Sequence, residues 1–384
     1  MKKLFTLFLA AALLLTGCSG NSNGNNAKNQ KDDVYVFRAM IPKTGDVAVY
    51  GNSSEKGLLL AIEEINANGG INGKQIDYKS DDDKGDATEA VNLFSKYLEE
   101  GADAILGAIT SKPALAVAET SVESGIPVLT PTGTMESITA GKANVFRACF
   151  TDPAQGVLLA NFVKNNLNKT RVAILRNTSS DYSNGVADKF AEQAKVKALE
   201  VVADEGYGDG DNDFKAQLTN IKEKNPEVLL VPDYYEKDVI IAKQVRDLGL
   251  DVAIVGPDGW DGVLSVVAEG EEDLLENCYF SNHYSVHDET PVVKNFVESY
   301  RKKYNEDPSA FSALSYDAVY LYKAAFEKAA SKEYKDVVEA LKSIEASGVT
   351  GSLKFDENNN PVKSAVMMTI KDGQYVMDSV VEAE

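Results

Sequence analysis

Two short segments carry hydroxyls and a proline where an apolar run gives way to an expected helix: Ile109-Thr110-Ser111-Lys112-Pro113 and Thr130-Pro131-Thr132-Gly133-Thr134. Hydroxyls beside unpaired N–H groups at the positive end of a helix suit a carboxylate. Ordinary N-capping by Ser111 and Thr134 explains the same residues, and on their evidence alone it is the favoured reading. A third segment, Gly256-Pro257-Asp258-Gly259-Trp260, sets an acid just past an apolar run. Asp258 there can take an ammonium, although Pro-Asp-Gly is also a common turn. Tyr50, Tyr182, Tyr234 and Tyr235 stand just past expected strands. A tyrosine can line a pocket with its ring and orient a ligand with its hydroxyl. The alternative for each is an ordinary half-buried surface tyrosine.

Catalytic chemistry finds little support. The chain has no Gly-x-Gly-x-x-Gly, no Gly-x-x-x-x-Gly-Lys-Ser/Thr and no Gly-x-Ser-x-Gly elbow. His283 and His287 are its only histidines, and they read as solvated loop residues rather than a metal pair. Asp209-Gly210-Asp211-Asn212-Asp213 begins like a calcium loop, but Phe214 and Asn220 stand where the glycine and the final acid belong. Asp213 is expected to cap the next helix, and Asp81-Asp82-Asp83 to be a solvated strand end. Cys149 and Cys278 read as two separate buried thiols rather than a bridge. No catalytic residue, metal or cofactor is therefore expected. With 39 Lys and Arg against 59 Asp and Glu the net charge is −20, which argues against nucleic acid as a partner.

The elements that must position these residues follow from periodicity. Strands are expected at 34–40, 75–80, 104–107 and 127–129, with helices at 53–68, 87–100 and 113–124. The pattern then repeats, with strands at 172–175, 201–207, 228–231 and 252–255 and helices at 182–197, 214–224 and 237–248. Alternation of this kind implies parallel sheets covered by helices on both faces. Two runs imply two lobes, with crossings near 146–150, 279–283 and 364–368. Ligands in such sheets sit beyond the carboxyl ends of the strands, so two facing lobes make a cleft.

The first 33 residues belong to something else. Lys2 and Lys3 precede an apolar stretch from Leu4 to Thr16, shorter than a membrane span. Leu15-Thr16-Gly17-Cys18 reads as a lipobox, giving a signal peptide at 1–17 and a lipid on Cys18. Residues 18–33 are polar and small, and are expected to form a flexible tether.

Over nearly all of Val34 to Ser379 the chain resembles the leucine/isoleucine/valine-type periplasmic binding proteins, the amino-acid receptors of bacterial ATP-binding-cassette importers. The marks are Thr44-Gly45-Asp46-Val47-Ala48-Val49-Tyr50-Gly51 and Ile65-Asn66-Ala67-Asn68-Gly69-Gly70-Ile71-Asn72-Gly73. Asp81-Asp82, Gly125-Ile126-Pro127-Val128-Leu129-Thr130-Pro131, Phe146-Arg147 and Asp181-Tyr182-Ser183-Asn184-Gly185 follow, then Gly256-Pro257-Asp258-Gly259 and Gly351-Ser352-Leu353-Lys354-Phe355-Asp356. Their order, more than any one of them, carries the resemblance.

The resemblance implies a type I periplasmic-binding-protein fold: two Rossmann-like α/β lobes, at 34–149 plus 282–364 and at 150–281 plus 365–384, joined by three hinge crossings. It implies that Ser111 and Thr134 hold a ligand carboxylate and that Thr132 offers a carbonyl. It makes Asp258 the acceptor of the ammonium, where many members have glutamate. Tyr50, Tyr182, Tyr234 (or Tyr235 if the register slips by one) and Phe311 become the aromatic walls. Lys112 and Pro113 stand where several members have further serines. The partners implied are a small aliphatic amino acid and the permease subunits of an importer, for a monomer held to the membrane through Cys18. A same-fold sensor, an amide, urea or aromatic-acid receptor, and an exported α/β enzyme are the other readings.

Overall fold

The computed structural model describes residues 33–381. The expected signal peptide, Cys18 and most of the expected tether lie outside the described residues. Among those described, no helix is long and apolar enough to cross a membrane.

The first lobe is built on a five-stranded sheet, ordered β2-β1-β3-β4-β5 and parallel throughout. Its strands are β1 (Val34–Ile41), β2 (Gln75–Asp82), β3 (Ala104–Leu106), β4 (Val128–Thr130) and β5 (Val145–Arg147). The helices between them are α1 (Ala48–Ala67), α2 (Ala87–Glu99) and α3 (Ser111–Ser121). Strand β1 is an almost unbroken buried run, as a central parallel strand covered on both faces should be.

The chain then crosses into α4 (Asp152–Asn165) and a second sheet. This sheet takes β6 (Arg171–Asn177), β7 (Glu200–Tyr207), β8 (Val228–Leu230), β9 (Ala253–Gly256) and β10 (Cys278–Asn282). Helices α5 (Asp181–Val196), α6 (Lys215–Glu223) and α7 (Tyr235–Asp247) join the strands. The chain returns through α8 (Pro291–Tyr304), α9 (Ala310–Lys328) and α10 (Tyr334–Lys342), which pack with the first lobe. A small hairpin, β11 (Ser347–Gly348) and β12 (Gly351–Ser352), precedes the last pair of strands, β13 (Ala365–Lys371) and β14 (Gln374–Val381). These two are antiparallel and complete the second sheet in the order β14-β13-β10-β9-β8-β6-β7. The second sheet is thus mixed, where the alternation pattern predicts an all-parallel one.

Helix α9 lies so close to α1 that a Cβ on Gly57 would stand 2.0 Å from the Ser312 carbonyl oxygen. Only glycine permits that approach. Ser312 Oγ donates to the Ser53 carbonyl (2.9 Å) across the same contact. Phe326 of α9 then stacks obliquely on Phe37 of β1, with ring centroids 5.6 Å apart.

The crossings are bound to one another. Phe150 on the first stacks on His283 on the second, with centroids 3.7 Å apart. Lys363 on the third donates to the Ala148 carbonyl on the first and to Thr350 Oγ1, each at 2.7 Å. Burial pushes the Lys363 ammonium down to about 8.

Three expectations need correction. His283 is buried, not solvated; it directly follows β10 inside the crossing, where its ring has an aromatic partner. Asp83 is buried as well, because the chain turns back at the end of β2 and Asp83 Oδ1 takes the Gly85 N–H (2.9 Å). Thr134 leads into a single 3-10 turn, Glu136–Ile138, and caps no α-helix. Cys149 and Cys278 are both buried free thiols, and Asp213 Oδ1 accepts the Lys215 N–H at the start of α6 (3.1 Å).

Candidate functional site

All eight residues singled out as cleft residues line one narrow cavity between the lobes. Tyr50, Ser111, Thr132, Thr134 and Phe311 come from the first lobe, and Tyr182, Tyr234 and Asp258 from the second. Ile109, Thr110 and Gly259 complete the lining. A larger crevice of about 230 Å³ adjoins it, sharing Thr110, Ser111, Tyr182 and Tyr234.

The first-lobe half is a pair of crossed turns. Ser111 opens α3, while Thr110 holds the cap position without a side-chain cap bond. Ser111 Oγ accepts the Thr134 N–H and sits 3.3 Å from Thr134 Oγ1. Two hydroxyls beside a helix N-terminus therefore face the same space. Thr132 spends its hydroxyl on the Ile109 carbonyl (2.6 Å), and Thr130 bonds the Ala108 carbonyl (2.7 Å). The buried Arg147 pins the loop from below, donating to the carbonyls of Gly133 and Met135, each at 2.7 Å.

The second-lobe half centres on Asp258, just past β9. Its Oδ1 accepts from Tyr182 Oη (2.9 Å) and from Gln155 Nε2 (3.0 Å). Its Oδ2 lies 3.4 Å from His283 Nε2. Burial holds the His283 imidazole below its usual value. Desolvation likewise raises the phenols of Tyr50, Tyr182 and Tyr234, so these side chains offer hydrogen bonds and no charge.

Aromatic rings close the remaining walls. Tyr50 stacks on Phe311 with centroids 4.1 Å apart and meets Tyr234 edge-on at 5.6 Å. Tyr182 stacks on Tyr234 at 4.9 Å. The Tyr50 hydroxyl donates to the Gly259 carbonyl and accepts the Tyr235 N–H (3.1 Å), so one phenol bridges the lobes. Tyr234 lines the cavity, and Tyr235 stands behind it.

Sequence reasoning missed Gln155 and His283. Gln155 lies in α4, a helix that periodicity alone did not separate from the crossing. His283 stands directly past β10, so the strand-end rule that found Asp258 also applies to it.

The architecture matches known proteins. The periplasmic binding protein family model matches residues 39–374. A Leu/Ile/Val-binding protein of Rhizobium johnstonii is 32% identical over 78% of this chain and 80% of its own. The chain belongs to the periplasmic binding protein family, on its Leu/Ile/Val-binding branch. The leucine-, isoleucine-, valine-, threonine- and alanine-binding protein of Pseudomonas aeruginosa is 28% identical, covering 83% of this chain and 85% of that one. The branched-chain amino acid transporter substrate-binding protein of Streptococcus pneumoniae, solved with isoleucine, superposes with a TM-score of 0.85 at 35% identity, covering 91% of this chain and 99% of that one. A Rhodopseudomonas palustris solute-binding protein in complex with benzoate is 21% identical, with a TM-score of 0.81 over 91% of this chain and 98% of its own, and shares the fold alone. This binding protein therefore has the fold and lineage of the substrate-binding components of branched-chain amino acid transporters, a family of binders and not of enzymes.

Proposed function

We propose that this binding protein captures a small aliphatic amino acid, a branched-chain one foremost, between its lobes and delivers it to an ATP-binding-cassette permease. One observation carries the reading: an anionic acceptor and a hydroxyl-rich helix start converge on one small cavity from opposite lobes. A free amino acid is a zwitterion that satisfies both. Ser111 and Thr134 take the carboxylate beside the α3 N-terminus, Thr132 offers its carbonyl, and Asp258 takes the ammonium through a charge-assisted bond. Tyr50, Tyr182, Tyr234 and Phe311 enclose the side chain. Each lobe holds half of the recognition set, so the ligand favours closure, and closure is what a permease can sense.

Lipid on Cys18 completes the proposal. Acyl chains there would hold the protein outside the membrane on its tether, keeping its local concentration near the permease high. Metabolic labelling with a palmitate analogue tests this: label is expected on the wild type and none on Cys18→Ala.

The function itself is tested by a thermal-shift screen against the common amino acids. A ligand at a hundred times its Kd stabilises by roughly 2.7 kcal/mol. Leucine, isoleucine or valine is expected to raise the melting temperature by several degrees. A shift with benzoate or urea and none with any amino acid would overturn the ligand class.

A further inference from the structure

Asp258 does not hold its own orientation. The buried side chain of Gln155, four residues into α4, is clamped to it by reciprocal bonds. Gln155 Oε1 accepts the Asp258 N–H (2.9 Å) and the Ser281 hydroxyl (2.8 Å). A backbone N–H can only donate, so it fixes which end of the amide is oxygen. Gln155 Nε2 must then face Asp258 Oδ1, at 3.0 Å. Tyr182 adds a second donor to the same oxygen: its hydroxyl accepts the Gly259 N–H (3.0 Å), which leaves its proton for Oδ1 (2.9 Å). Oδ1 thus has two well-formed donors. Among the described residues Oδ2 has only His283 Nε2, at 3.4 Å, beyond the range of a good hydrogen bond.

We propose that Gln155 is a positioning residue for amino-acid recognition: it saturates one oxygen of Asp258 and turns the other, Oδ2, toward the ligand's ammonium. This rests on the reading of Asp258 as the ammonium acceptor. Ser281 belongs to the design because its hydroxyl reinforces the amide's orientation. Ser281 also stands on β10, two residues before the hinge crossing at His283. The acceptor of the ligand's charge is therefore anchored to the strand that leads into the hinge.

The test separates positioning from mere support. The full chain in detergent is titrated with L-leucine and with 2-hydroxy-4-methylpentanoate, in which a neutral hydroxyl replaces the ammonium. Gln155→Met is expected to weaken leucine about tenfold and the hydroxy acid less than twofold. In an Asp258→Asn background the same substitution should change leucine binding less than twofold, because the group it positions is already gone. If Gln155→Met does not fold, as judged by circular dichroism, Ser281→Ala removes one bond from the same clamp. It should weaken leucine about threefold and again spare the hydroxy acid. Equal losses for both ligands, or a full additive loss in the Asp258→Asn background, would show Gln155 to be structural and overturn the proposal. An Asp258→Asn chain that binds leucine like the wild type would instead bring down the reading of Asp258, and this inference with it.

Discussion

Asp83 shows how one buried acid should leave a mark on stability. Its Oδ2 is buried with no hydrogen-bond partner among the described residues, and desolvation pushes its carboxyl from 3.8 to about 6. The folded state therefore holds this proton more tightly than the unfolded one. The stability it contributes is fully present below about pH 4 and is lost as the pH rises through 6. That gap is worth roughly 3 kcal/mol. Asp83→Asn keeps an oxygen for the Gly85 N–H and carries no charge. It should melt above the wild type at pH 7, with the advantage shrinking toward pH 4; an advantage that does not change with pH would refute the assignment. Asp258, Ser111 and Thr134 were legible in the sequence as residues because each stands past an apolar run. Capping was the favoured reading of Ser111 and Thr134 there, and a turn was the alternative for Asp258. Only their convergence in space favours binding, and a single sequence does not display convergence between residues 111 and 258. Gln155 carried no signal at all: a lone glutamine ahead of Gly156-Val157-Leu158-Leu159 stands in a stretch where no element was expected.

At the scale of elements, the contact between α1 and α9 sets two effects against each other. Gly→Ala inside a helix ordinarily gains roughly 0.5–1 kcal/mol. At Gly57 the added methyl would meet the Ser312 carbonyl at 2.0 Å, and overpacking of a tight contact costs about 1–3 kcal/mol. Gly57→Ala should therefore lower the denaturation midpoint; a raised midpoint would mean that the helices separate at little cost. Apart from β5 and α4, periodicity read the strands and helices between Val34 and Val255 to within about five residues, because each buried parallel strand is an apolar run with a helix behind it. It failed on the last sheet strands for a definable reason. The Lys371-Asp372-Gly373-Gln374 connection has φ of +50° at Asp372 and +67° at Gly373, a backbone suited to a tight hairpin. The Asp-Gly pair was present in the sequence, but the expected elements stopped at the third crossing near 364–368 and assigned no strands beyond it. Helix α4 was missed because its buried positions include Asp152, Gln155 and Asn161, which blur the apolar stripe.

For the whole molecule, the Tyr50 hydroxyl is the bridge whose loss is easiest to read. It joins α1 of the first lobe to the Gly259 carbonyl and the Tyr235 N–H of the second. Tyr50→Phe keeps the stack on Phe311 and removes both bonds. The ligand-free protein should then shift toward an open arrangement, seen as a larger radius of gyration in solution scattering, with leucine restoring part of the closure. An unchanged radius would mean that the hinge contacts among Phe150, His283, Ala148 and Lys363 set the lobe angle alone. The two-lobe plan was visible in the repeated strand–helix pattern. The binding of the crossings to one another was not, since it depends on residues more than a hundred positions apart.

The most direct test is calorimetric titration of L-leucine into the wild type, Asp258→Ala and Thr134→Ala. These two substitutions remove one recognition group from each lobe. Each is expected to weaken binding at least tenfold, about 1.4 kcal/mol. Affinity unchanged in both would contradict the placement of the amino acid between them.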